Sequence, residues 1–125
     1  MLDFAARSYP VDRSQVHLVG HSMGAAAAWS LALRAPGKIT SVACIAGVCG
    51  GGKTSSEASL PPLLVIAGGL DPIIPPERIE AAVQAAEAAG RRVEYRVEEE
   101  QGHTLIVGYA IESVVDWLFR DHSGR

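Results

Sequence analysis

The chain has 125 residues, 48% of them hydrophobic and 20% charged, with a formal net charge of −3 and an isoelectric point near 5.7. That length suits one domain spanning residues 1–125 with a sizeable core, the apolar content argues against disorder, and the acidic balance gives no electrostatic footprint for nucleic acid. No apolar run approaches the roughly 20 residues of a membrane-spanning helix, and Met1-Leu2-Asp3-Phe4 lacks the basic start and long apolar stretch of a signal peptide, so a cytoplasmic location without membrane association is expected.

Leu2–Tyr9 reads as the end of a helix stopped by Pro10, followed by the polar connector Val11-Asp12-Arg13-Ser14. Val16–Val19 is a short apolar strand and Gly20–Gly24 a tight turn. Ala25–Arg34, rich in Ala and Leu and free of breakers, is a helix, ended by Ala35-Pro36-Gly37. Ile39–Ala46, β-branched at several positions and bounded by turn residues, is a second strand. A loop from Gly50 to Pro62 leads to a third, buried strand, Leu63–Ala67, which runs into Gly68-Gly69-Leu70-Asp71. Pro76–Ala89 is a helix with Ile79, Ala82, Val83 and Ala86 on one face, Pro76 in its first turn and Gly90 at its C-terminal cap. Val93–Val97 alternates as a strand, with Glu98-Glu99-Glu100 at its solvated end. The last helix, Leu105–Phe119, is expected to bury Ile111, Val114, Val115 and Leu118. Apolar strands interleaved with helices imply an α/β fold in three layers, α/β/α, around a mostly parallel sheet.

The two cysteines, Cys44 and Cys49, lie in or just after one strand, which keeps its ends apart; they read as small buried hydrophobes, neither a disulfide nor a zinc site. His17, inside a strand, reads as structural, and His122, in the tail, as solvated.

Gly20-His21-Ser22-Met23-Gly24 fits the pattern G-x-S-x-G, entered by a strand and left by a helix. A serine exposed on such a turn needs glycines where strand and helix approach, here Gly20 and Gly24. The turn also opens a helix, whose free N–H groups favour developing negative charge; the backbone N–H of Met23 is the expected oxyanion donor. The plainer reading makes Ser22 an N-cap. His21, flanking the turn, is expected to pack or hydrogen-bond beneath it. A nucleophilic serine needs a base, and the base an orienting carboxylate. Asp71 follows the third strand and His103, in Glu100-Gln101-Gly102-His103, the fourth; both fall at the C-terminal sheet edge where Ser22 lies and where such sheets bind ligands. The plainer alternatives are an Asx turn at Asp71 before Pro72 and a helix-capping loop histidine at His103.

The elbow, the Gly-Leu-Asp-Pro-Ile-Ile-Pro-Pro stretch at residues 69–76 and the late Gly102-His103 resemble the dienelactone-hydrolase and prolyl-oligopeptidase-like branch of the α/β-hydrolases. The resemblance maps the strands onto the last four of that eight-stranded fold. It implies a serine hydrolase, carboxylesterase-like, in which His103 deprotonates Ser22, Asp71 holds His103, and an acyl-enzyme on a small-molecule ester is formed and hydrolysed without cofactor or metal. The first half of the family's sheet, which supplies the second oxyanion donor, has no counterpart here, so the chain reads as an N-terminally shortened domain with an exposed, adhesive edge at Val16–Val19. An inert partial domain that self-associates through that edge, and a fragment of a prolyl-oligopeptidase-type peptidase, are the alternatives. The short connection between the second and third strands leaves no room for a large lid.

Gly47-Val48-Cys49-Gly50-Gly51-Gly52-Lys53-Thr54 also fits the P-loop pattern G-x-x-x-x-G-K-[ST]. A phosphate cradle requires a helix starting at Lys53-Thr54, and Pro61-Pro62 leaves room for about a turn. The segment therefore reads as a flexible glycine loop with an exposed lysine.

Overall fold

The structure is a computed structural model and describes residues 15–120; the expected helix at Leu2–Tyr9, the connector Val11–Ser14 and His122 lie outside them. The elements, in order, are β1 (His17–His21), α1 (Met23–Arg34), β2 (Ser41–Ile45), a single 3₁₀ turn (Glu57–Ser59), β3 (Leu63–Gly68), α2 (Pro76–Ala88), β4 (Val93–Glu98) and α3 (Ile106–Leu118). The four strands form one sheet in the order β1-β2-β3-β4, every neighbouring pair parallel. This is the expected α/β architecture.

β2 and β3 are buried along their whole length, which explains why they read as continuous apolar runs. Successive side chains supply opposite layers. Val42, Cys44, Val65 and Ala67 join a core with Ala25, Trp29 and Ala32 of α1 and Ile79 and Val83 of α2. Ala43, Ile45, Leu64 and Ile66 join a second core with Ile106, Ala110, Val114, Trp117 and Leu118 of α3. Two helices therefore cover one face and α3 the other.

The buried face of α2 is the expected one, with Ile79, Val83 and Ala86 fully buried and Ala82 half-buried. Its C-terminus closes through Gly90 N–H to Glu87 O (3.0 Å) and Arg91 N–H to Ala86 O (3.0 Å), the paired bonds of a Schellman cap. The face of α3 differs from expectation: Ile106, Ala110, Val114, Trp117 and Leu118 are buried, while Ile111 and Val115 are exposed. Trp117 and Leu118 close on the sheet and turn the helix so that those two residues sit on its shoulder.

The cysteine expectation is overturned. Cys44 and Cys49 form a disulfide, and both are buried. The strand ends at Ile45, and the chain doubles back at Ala46, whose φ is 54°, bringing Cys49 to a Cα–Cα separation of 6.7 Å from Cys44. Both sulfurs lie against the Ala25 carbonyl, at 3.5 and 3.2 Å.

Candidate active site

β1 runs into α1 with a single residue between them, Ser22, and that residue has φ 59° and ψ −119°. A non-glycine in this region costs on the order of 1–3 kcal/mol and persists only where its surroundings fix it. Here the Ser22 N–H donates to Ile45 O (2.9 Å), and its carbonyl accepts from Ala25 N–H (3.1 Å). A Cβ on Gly20 would lie 2.3 Å from Gly24 O, so strand and helix do meet there. The expectation for Gly24 fails: a Cβ at that position meets nothing within 4 Å. The second close approach belongs to Gly47, where a Cβ would lie 2.5 Å from Ser22 O and 2.6 Å from Ala25 Cβ. In the sequence Gly47 stands out only as the first residue of the P-loop pattern.

The Ser22 hydroxyl makes no capping bond to α1. It points to His103, whose Nε2 accepts from Ser22 Oγ at 2.8 Å. On the other side of the ring, His103 Nδ1–H donates to Asp71 Oδ2 at 2.7 Å. Asp71 is 4% exposed. Its other oxygen, Oδ1, accepts the N–H groups of Ile73 (2.8 Å) and Ile74 (2.9 Å). Asp71 therefore makes the turn anticipated for an Asp before Pro72 and also faces the histidine. Burial is the largest influence on its acidity and acts to raise it, but the His103 hydrogen bond, the two N–H donors and the His103 charge outweigh burial and hold the carboxyl below its ordinary value. An ionised Asp71 fixes the tautomer that leaves Nε2 free to accept from Ser22.

Met23 is the first residue of α1, where a backbone N–H has no intrahelical acceptor; its side chain is exposed. His21 does lie beside the elbow, and its Nε2–H donates to the His103 carbonyl. His17 is hydrogen-bonded to Ser41 Oγ (2.6 Å) and packs edge-on against Phe119, at the opposite end of β1. A cavity of about 550 Å³ opens at that N-terminal end, lined in part by His17, Thr40, Arg92 and Phe119; none of Ser22, Asp71 and His103 lines it.

The P-loop-like segment is held by its carbonyls. Gly50 O and Gly52 O accept from the two terminal nitrogens of Arg91 (2.7 Å each), Gly51 O accepts from Trp29 Nε1–H (2.7 Å), and Thr54 Oγ1 donates to Leu33 O (2.7 Å). The next helical element is only the three-residue turn at Glu57–Ser59. A phosphate cradle needs converging N–H groups at a helix start; this loop instead offers carbonyls that are already hydrogen-bonded, and Lys53 is exposed as expected. Among the described residues no helix is long and apolar enough to cross a membrane.

The fold has counterparts among solved structures. The structure superposes on the Bacillus cereus carboxylesterase with a TM-score of 0.75 at 26% identity, over 94% of this chain and 55% of that one. It matches esterase PE8 with a TM-score of 0.73 at 25% identity, over 94% of this chain and 54% of that one. A putative dienelactone hydrolase from Klebsiella pneumoniae shares the fold, with a TM-score of 0.74 at 20% identity over 95% and 57% of the two chains. The chain thus spans about half the length of these solved proteins. No protein with a curated description matches it. The sequence profile of the phospholipase/carboxylesterase family matches residues 4–118, and the chain belongs to that family of α/β-hydrolases.

Proposed function

We propose that the chain carries the catalytic centre of a serine carboxylesterase, with Ser22 as nucleophile, His103 as general base and Asp71 as the acid that orients it. The observation that carries this reading is the unbroken relay Ser22 Oγ, His103 Nε2, His103 Nδ1, Asp71 Oδ2, with links of 2.8 and 2.7 Å. In the first half-reaction His103 takes the Ser22 proton as Oγ attacks the ester carbonyl. The resulting oxyanion is met by the Met23 N–H, and the imidazolium is stabilised by Asp71. His103 then protonates the departing alkoxide, leaving an acyl-serine. In the second half-reaction His103 deprotonates water, which attacks the acyl carbon, and the proton returns to Ser22 as the acid leaves. Membership of a carboxylesterase family supports esters over peptides as substrates.

The test is labelling of the purified chain with a fluorophosphonate probe. Wild type is expected to label, Ser22→Ala not at all, and His103→Ala at a rate lower by about 10³-fold or more. Equal labelling of wild type and Ser22→Ala defeats the assignment.

A second reading is favoured by the edge position of β1 and the 44% exposure of Val19 on it: an inert hydrolase-like unit that acts by association through that strand. A folded wild-type chain that fails to label favours it.

A further inference from the structure

Ser22 closes β1 at one edge of the sheet, while His103 follows β4 at the other. At ~4.8 Å per strand the base must be carried about 14 Å across the sheet end to reach the serine. The loop after β4 spans that distance, and its first part is fastened to the end of β3. Gly69 N–H donates to Glu98 O (2.9 Å) and Leu70 N–H to Gln101 O (3.0 Å), and a Cβ on Gly68 would lie 2.5 Å from Gly102 O. His103 lies beyond these ties. The helix that follows does not hold its carbonyl, since the first bond into α3 runs from Val107 N–H to Thr104 O (3.4 Å). The His103 carbonyl instead accepts from His21 Nε2–H, a side chain from the last residue of β1, directly before the nucleophile. The two rings lie 5.0 Å apart.

We propose that His21 is a positioning residue: its side-chain N–H, given to the carbonyl of the base, clamps the far end of the β4–α3 loop to the nucleophile strand and so sets the separation between Ser22 and His103. The segment carrying His103 is then joined to the end of the nucleophile strand twice, once from the His103 ring to Ser22 and once from the His103 carbonyl to His21, and the second bond persists whatever the protonation of the His103 ring. A carbonyl only accepts, so the His21 tautomer in this bond carries its proton on Nε2. This rests on the reading of Ser22 and His103 as nucleophile and base.

The experiment compares His21→Phe, which keeps a ring and removes the donor, with His21→Gln, whose amide N–H reaches a similar point. Two quantities are read on variants shown to be folded by thermal melting: the rate of fluorophosphonate labelling of Ser22, and the downfield proton resonance of His103 Nδ1–H, assigned by its loss in His103→Ala. Labelling is expected to slow by about 10- to 100-fold in His21→Phe, with the resonance shifted or broadened. In His21→Gln the rate is expected to return to within about threefold of wild type, with the resonance restored. Wild-type rate and resonance in His21→Phe overturn the clamp, and so does a His21→Gln variant as impaired as His21→Phe. If His21→Phe does not fold, His21→Asn, one methylene too short to reach the carbonyl, takes its place with the same expected loss. A wild-type chain that shows the His21-dependent resonance but does not label keeps the clamp and defeats the hydrolase reading. Labelling that is indifferent to His21 does the reverse, and a folded wild type without the resonance overturns the clamp.

Discussion

Gly47 shows how closely the elbow is packed from behind. The loop after β2 passes so near Ser22 that a methyl group at Gly47 would sit 2.5 Å from Ser22 O and 2.6 Å from Ala25 Cβ. Overpacking of this kind costs about 1–3 kcal/mol, and relief must come by moving Ser22, whose φ of 59° is already unfavourable. Gly47→Ala is therefore expected to lower the melting temperature by several degrees or more and to slow Ser22 labelling. Gly24→Ala is the internal control: the space is open, the position is helical, and alanine is preferred over glycine there by about 1 kcal/mol, so its melting temperature should hold or rise. Thermal melting of the two variants side by side reads both; a stable Gly47→Ala would mean the loop yields without strain. The meeting of Ser22, Asp71 and His103 was legible in the sequence because each is announced by its own neighbours: glycines around the serine, a strand end before the aspartate, a Gly-His after the next strand. Gly47 and the Cys44–Cys49 pairing were not, because both depend on the reversal at Ala46, and no residue type there requires a positive φ.

Among the elements, the connection between β2 and β3 is held by α2 at a distance. The Schellman cap places Arg91 just past the helix, and its side chain, 11% exposed, bonds Gly50 O, Gly52 O and Glu57 through the guanidinium. A planar group with several fixed donors can serve two carbonyls and a carboxylate at once; a lysine ammonium offers one compact charge. Arg91→Ala is expected to cost about 1.5–3 kcal/mol, the range for bonds to a charged group, and Arg91→Lys to recover less than half of it. Urea unfolding gives the energies, and hydrogen exchange should show faster opening of residues 50–57 while Ser22 labelling is unchanged. An Arg91→Ala variant with wild-type unfolding and exchange would mean that Trp29 Nε1–H and Thr54 Oγ1 suffice to hold the loop. The strands and the axes of α1 and α2 were legible from pattern alone, since buried parallel strands leave uninterrupted apolar runs. The face of α3 was misread because Ile111 and Val115 are as apolar as the residues that are buried, and only the sheet beneath decides between them.

At the scale of the whole molecule, the sheet has two edges of different kinds. β4 is half-buried and carries Glu94, Arg96 and Glu98, and the Glu94–Arg96 ion pair (2.6 Å) lies on it; charges of this sort discourage pairing with another strand. β1 reads His-Leu-Val-Gly-His with no formal acid or permanent cation. Its Leu18 packs into the core shared with α1 and α2, whereas Val19 points to the other face and is 44% exposed. Among the described residues β1 is an edge strand without formal charge and with an apolar side chain showing, an arrangement that recruits a further strand. The chain is therefore expected to elute from size-exclusion chromatography above its monomer size, increasingly so with concentration. Val19→Lys, which places a charge on the exposed face and leaves the elbow glycine and Leu18 untouched, should shift it toward the monomer. Coupling this to the labelling assay separates the two functional readings. If the monomeric Val19→Lys chain labels at the wild-type rate, the triad works without a partner on that edge and association is incidental to it. If labelling falls with the oligomer, the neighbouring strand completes the site. A wild-type chain that stays monomeric at high micromolar concentration removes association as a function of this surface.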